Sequence, residues 1–177
     1  MKHLFLMRKV ILGVAVSLDG FIEGPNGEYD WCFTDQDYGM SDFLKRIDAI
    51  FMGRKSYDLS KRMEGQNPWK GMTTYVFSNT LKEINNKDVK LITGDIKNEV
   101  TTLKQEKGKD IWLFGGAELT TFFINEALVD ELWLAVHPIL LGSGKHLFQH
   151  INSRKKLKLV EHKTYSTGLV SLCYQPA

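Results

Sequence analysis

At 177 residues with 43% hydrophobic content, the chain is long enough to close an apolar core without disulfides or metals, and one domain spanning 1–177 is the expectation. The formal charge of +2 is scattered rather than blocked, which argues against a nucleic-acid stripe or an acidic tail. Cys32 and Cys173 form no CxxC pair, so neither a disulfide framework nor a zinc site is indicated, and a reducing cytoplasm is the simplest setting.

Lys2, Arg8 and Lys9 ahead of VILGVAV imitate the start of a secretory signal, but no small-residue cleavage site follows. An extra or disordered segment over 1–7, with Met7 as an alternative start, ahead of a buried strand at Val10 to Val16 is the simpler reading. That strand is apolar on both faces, as a central parallel strand is. No apolar run approaches the roughly 20 residues of a membrane span. Met40, Phe43, Leu44 and Ile47 then fall at helical spacing, with Asp42, Lys45 and Arg46 outside the stripe. A second strand is expected at Ala49 to Met52, a short helix at Ser56 to Met63, a loop at GQNPWKG, and strands at Thr73 to Phe77 and Val89 to Thr93. Ile96, Val100 and Leu103 mark another amphipathic helix, ended by Gly108, before a strand at Ile111 to Phe114. Leu119, Phe122 and Phe123 define the next buried helical face, and Leu132 to Val136 a further strand. Leu157 to Lys163 and Leu169 to Gln175, joined through TYSTG, read as an antiparallel hairpin at the sheet edge. This alternation predicts an α/β fold with a mostly parallel sheet covered by helices.

Ligands of such sheets sit at the carboxyl ends of strands, where helix N-termini point into a crevice. In IFMGRKSYD, Gly53 lets the backbone turn, Arg54 and Lys55 bring cations, and Ser56 can cap a helix or donate to a phosphate. In IWLFGGAEL, Gly115 and Gly116 remove side chains where a strand hands over to a helix, so a ligand can approach backbone amides. Taken singly, each is an ordinary surface turn. Together they favour an anionic ligand spanning two helix starts, such as a dinucleotide diphosphate, and this requires 53–56 and 115–119 to lie side by side.

SLDGFIE, FMGRKSYD, TYVFSNT, IWLFGGAELTTFF and HPILLGSGKHLF resemble, in order and spacing, the motifs of the dihydrofolate-reductase-like superfamily. The last stretch is similar to the branch containing the riboflavin-biosynthesis reductase domain and many stand-alone reductases. The resemblance runs from Arg8 onward and implies the three-layer fold of that superfamily, NADPH as cofactor, a small-molecule substrate, and a homodimer. It implies that Gly53, Arg54, Lys55 and Ser56 hold cofactor phosphates and that Ser78 and Asn79 lie beside the ribose with its 2′-phosphate. It further implies a cis peptide between Gly115 and Gly116, with Ala117, Glu118 and Leu119 presenting a helix N-terminus to the diphosphate. Val16 to Gly20 would pass the nicotinamide. The implied reaction is hydride transfer to a heterocyclic or carbonyl substrate, as in a 5-amino-6-(5-phosphoribosylamino)uracil reductase. Its proton could come through water from Asp37, Asp35 or Asp19, since a buried carboxyl can have its pKa raised.

A dihydrofolate reductase proper would carry an arginine shortly before the third strand, where PWKGMTTYVFS has none, so folate is a poor first choice. That enzyme, or a catalytically silent nucleotide-binding protein, is the alternative. The H-x-E and PCxxC motifs of the riboflavin deaminase are absent. His137 could face a substrate pocket, although a strand-end histidine satisfied by backbone is the plainer reading. GSGK is not a Walker loop, because His146 stands where Ser or Thr must ligate magnesium; it is a turn, or a lysine aimed at a substrate phosphate. Trp31, Trp69, Trp112 and Trp133 read as core or dimer-contact residues.

Overall fold

In the computed structural model, which describes residues 7–62, 69 and 71–177, the run VILGVAVS forms strand β1 (Val10–Ser17). Val10, Leu12 and Val16 are buried in one apolar cluster and Ile11 in another, so β1 has a core on each face. The remaining elements follow as β2 (Phe21–Glu23), α1 (Met40–Lys45), β3 (Ile47–Gly53), α2 (Arg54–Arg62), β4 (Thr73–Phe77) and β5 (Val89–Ile92). Then come α3 (Ile96–Gln105), β6 (Asp110–Gly115), α4 (Ala117–Asn125), β7 (Glu131–His137), β8 (Lys145–His146), β9 (Leu157–Thr164) and β10 (Val170–Pro176).

Eight of the strands make one sheet in the order β5-β4-β3-β6-β1-β7-β10-β9. Every neighbouring pair from β5 to β7 is parallel, and β10 is antiparallel to both its neighbours, β7 and β9. The fold is therefore the expected dihydrofolate-reductase-like α/β architecture, and the carboxyl ends of β4, β3, β6, β1 and β7 share one edge. Helices α3 and α4 cover one face through Val100, Leu103, Leu119 and Phe123. Phe43 of α1 and Tyr57 of α2 cover the other, over Ile11, Ile50, Met52 and Trp112. Phe51 sits edge-on to Tyr75, Phe77 and Phe123 with ring centroids 5.1–5.8 Å apart. Fully burying each such ring contributes roughly 2–3 kcal/mol.

Three expectations need correction. Ile47 starts β3 instead of ending the first helix, which stops at Lys45; Ile47 pairs in register with Asp110, and a spacing of three or four residues does not separate a helix end from a strand start. The second helix begins at Arg54, so Ser56 lies inside its first turn and is not its cap. Strands β2 and β8 form a separate two-stranded sheet, and β8 begins at Lys145 in the GSGK stretch expected as a turn. It is possible only because position 144 is glycine: a Cβ there would lie 2.2 Å from the Glu23 carbonyl oxygen, on a backbone with φ 136°. Residues 1–6, Met63 and most of GQNPWKG fall outside the described residues. Among the described residues no helix is long and apolar enough to cross a membrane.

Candidate functional site

Strand β3 passes directly into α2, and the neighbouring β6 passes through Gly115 and Gly116 into α4. The Gly115–Gly116 peptide is cis, as the resemblance implied. The two corners touch: a Cβ built on Gly116 would lie 3.3 Å from Ser56 Oγ, and one on Gly53 3.8 Å from both the Gly115 carbonyl oxygen and Leu119 Cβ. Gly116 is the N-cap of α4 and offers no side-chain acceptor, which leaves the first-turn amides near Ala117, Glu118 and Leu119 for solvent or an anion. Helix α2 has no acidic residue in its first turn. Lys55 Nζ lies 3.9 Å from Glu118 Oε1 across the join, but both side chains are exposed and the pair contributes little.

The end of β4 completes this arc. Ser78 Oγ accepts the amides of Thr80 and Leu81 at 3.2 and 3.1 Å, an ST-turn that fixes the strand end. Arg54 Nη1 donates to Thr80 Oγ1 at 2.9 Å, and Arg54 Nε lies 3.5 Å from Asp58 Oδ2. The guanidinium is thus poised beside exposed Asn79.

A cavity of about 1130 Å3 runs from this arc along the sheet edge. Gly53 to Ser56, Ser78 to Thr80 and Gly116 to Leu119 line it, while Gly115 stands behind it. From β1 the wall is Gly13, Val14 and Ala15. Val16, expected at the cofactor, is not among the lining residues, and its side chain is buried in the α3–α4 core. At Gly13 the Trp112 indole fills the room a side chain would take: its N–H donates to the Gly13 carbonyl at 2.8 Å, and a Cβ on Gly13 would lie 2.8 Å from Trp112 Nε1.

Asp19 does not line the cavity. Its carboxylate accepts from the Ser17 hydroxyl at 2.6 Å and from the amides of Gly142 and Leu141 at 2.8 and 3.2 Å. The Ser17 bond, with help from those amides, holds its pKa down at about 2, opposite to what a proton donor needs. Asp19 pins the turn after β1 to the loop after β7. Asp37 does reach the cavity, yet it is exposed and caps α1. The Ser41 hydroxyl at 2.7 Å and then the Ser41 amide at 2.8 Å hold its carboxyl below the usual range, so the premise of a buried, proton-holding acid fails for it. Asp35 accepts the Tyr38 hydroxyl at 2.7 Å.

The far end of the cavity is aromatic. Phe33, Tyr38, Trp112, Phe114, Trp133 and His137 line it, from three separate stretches of chain. His137 is buried, with Nε2 accepting the Phe33 amide at 3.1 Å and Nδ1 donating to the Ala135 carbonyl at 2.9 Å. Burial pushes its pKa down, and both nitrogens are committed in the neutral form. It is both the backbone-satisfied histidine and a pocket wall. Burial also pushes the Cys32 thiol up to about 11. Lys145 lies in β8 and is ion-paired with Glu23.

Sequence reasoning missed Thr80, although it sits inside the quoted TYVFSNT, and the rings Phe33 and Tyr38 that stand beside the named Asp35 and Asp37. Those rings lie in a stretch with no periodicity and no motif. Among the described residues no group of three or more His, Cys, Asp or Glu could hold a metal ion.

A family model described as the RibD C-terminal domain matches residues 8–171. The uncharacterized protein YyaP of Bacillus subtilis strain 168 is 48% identical over 178 residues, covering 94% of each chain. Among solved structures, a protein of Shewanella sp. PV-4 whose name places it in riboflavin biosynthesis superposes with a TM-score of 0.86 at 25% identity, over 96% of this chain and 99% of that one. The diaminohydroxyphosphoribosylaminopyrimidine deaminase/5-amino-6-(5-phosphoribosylamino)uracil reductase of Thermotoga maritima gives 0.73 at 16% identity, over 97% of this chain and 57% of that one. Dihydrofolate reductase of Enterococcus faecalis, complexed with NADP(H), gives 0.71 at 15% identity, over 98% and 99%.

Proposed function

Because the chain belongs to the RibD C-terminal domain family, we propose that it is an NADPH-dependent reductase of a small heterocyclic or carbonyl substrate. The observation that carries this is the contact between two helix starts, with a Cβ on Gly116 only 3.3 Å from Ser56 Oγ, at the carboxyl edge of adjacent parallel strands. The gap that a side chain at Gly116 would fill is a place where a diphosphate can meet backbone amides. Gly53, Lys55 and Ser56 would hold it from one side, and Gly116, Ala117, Glu118 and Leu119 from the other. Arg54, steadied by Thr80 and flanked by Ser78 and Asn79, would take the 2′-phosphate. Gly115 shapes the turn.

A dinucleotide held by these residues would bring hydride-donor chemistry to an electron-poor C=N or C=O group, with the balancing proton drawn from water. The backbone of Gly13 to Ala15 and the aromatic wall keep bulk solvent from that group. Asp37, held ionised, orients a water or a substrate N–H instead of storing a proton. The same reading makes the protein a cytoplasmic homodimer, supported by the outer strand β9, all of whose residues are exposed, Leu157, Leu159 and Val160 among them.

Calorimetric titration of NADPH and NADH, followed by NADPH consumption with pterin, pyrimidine and dicarbonyl compounds, tests the proposal. Tight NADPH binding with turnover is expected. Binding without turnover on any compound would favour a silent nucleotide-binding protein, turnover of dihydrofolate would favour a dihydrofolate reductase, and absence of binding would remove the reading.

A further inference from the structure

The two ends of the cavity differ in charge. Three cationic side chains line it among the described residues: Arg54 and Lys55 at the helix starts, and Lys145, already neutralised by Glu23. The six side chains of the aromatic end bring none. The polar atoms of the rings are internally committed: Trp133 Nε1 donates to Ser171 Oγ at 2.7 Å, Trp112 Nε1 to the Gly13 carbonyl, and the Tyr38 hydroxyl to Asp35, with Thr167 Oγ1 3.2 Å away. Both His137 nitrogens are occupied by backbone. Asp37, in the same stretch as Phe33 and Tyr38, adds an anion. A phosphate or carboxylate placed here would find no counter-charge, would be repelled by Asp37, and would lose its hydration among rings. A flat neutral molecule would lose only water that those rings hold poorly.

We propose that the substrate is a planar, conjugated, uncharged heterocycle or dicarbonyl carrying neither phosphate nor carboxylate. This rests on the reductase reading above and narrows it: the phosphoribosylated pyrimidine in the name of the Thermotoga enzyme is not what this wall accommodates. Selection comes from stacking and shape, with the uncommitted Gln36 and Thr34 side chains supplying uncharged hydrogen bonds.

Two matched pairs test it: 1,2-naphthoquinone against 1,2-naphthoquinone-4-sulfonate, and 5-amino-6-ribosylaminouracil without and with its 5′-phosphate. Binding is read as quenching of tryptophan fluorescence in the presence of NADP+, and turnover as NADPH consumption. In each pair the neutral member is expected to bind about tenfold tighter or better. Trp133→Ala should weaken the neutral member about tenfold and leave the NADPH dissociation constant unchanged. Gln36→Arg, which adds a cation at an exposed loop position, should raise affinity for the anionic members alone. Anions binding as well as or better than their neutral partners, or no quenching by either neutral compound, would overturn the inference while leaving a measured NADPH affinity and the reductase reading intact. Failure of NADPH itself to bind would overturn both.

Discussion

The two ends of the cavity are made of different materials. The end proposed to hold phosphate is backbone and exposed charge: glycines at two strand ends, the first turns of α2 and α4, and Arg54 leaning on Thr80. Each half is contiguous in sequence, and the halves meet because β3 and β6 are neighbours. The far end is side chain, gathered from β1, the Tyr29–Tyr38 stretch, α1, β6 and β7, with its polar atoms tied up inside the protein. Backbone amides and mobile cations recognise charge and respond to salt, whereas a pre-packed aromatic wall recognises shape. Damage at one end should therefore be seen in cofactor affinity, and damage at the other in substrate affinity.

The largest effect that could break this division is expected at Gly116. Gly116→Val fills the approach next to Ser56 and should weaken NADPH about 100-fold or more by calorimetry, with far-wall ligands still quenching tryptophan fluorescence. An unchanged NADPH affinity would discredit that corner. Arg54→Ala should cost about tenfold for NADPH and less for NADH, and should flatten the salt dependence of NADPH binding. Equal losses for the two cofactors would move Arg54 away from the 2′-phosphate.

At the other end, Tyr38→Phe removes the hydroxyl that reaches Asp35 and Thr167. About threefold in substrate KM and nothing in NADPH affinity is the expected signature of one such bond. The smallest effect concerns His137. Its pKa lies below the ordinary 6.5, so the folded state favours the neutral ring. Stability is then full above that pH and falls as pH drops from it toward the folded value, because the unfolded chain takes up a proton that the folded one resists. Thermal unfolding from about pH 8 down to 5 should show this decline, and His137→Gln should flatten it.

The meeting of the two glycine corners was legible in the sequence because each half is a strand, a turn and a helix start within nine residues. The strands were legible for a similar reason, with Thr73–Phe77 matching to the residue. The far wall was not. Phe33 and Tyr38 stand in a stretch without periodicity, and only the fold brings them to His137, about a hundred residues on in the chain. Val16 and Ile47 show a second limit: an apolar run fixes that a segment is buried, but not which side each residue faces or where a helix yields to a strand. The carboxylates show a third. Asp19 and Asp37 look alike in sequence as candidate acids, and the hydroxyls and amides around them, which only folding supplies, keep both ionised.

Position 13 gives the wall an unexpected control point. Since the Trp112 indole occupies the notch left by the missing side chain of β1, a single methyl group there has nowhere to go except against the ring. Gly13→Ala would work as a wedge driven from behind, tipping the indole forward and narrowing the ligand's room from a residue that lies in the sheet. Tightness of fit at the aromatic end can thus be tuned from beneath it, in steps of one carbon atom.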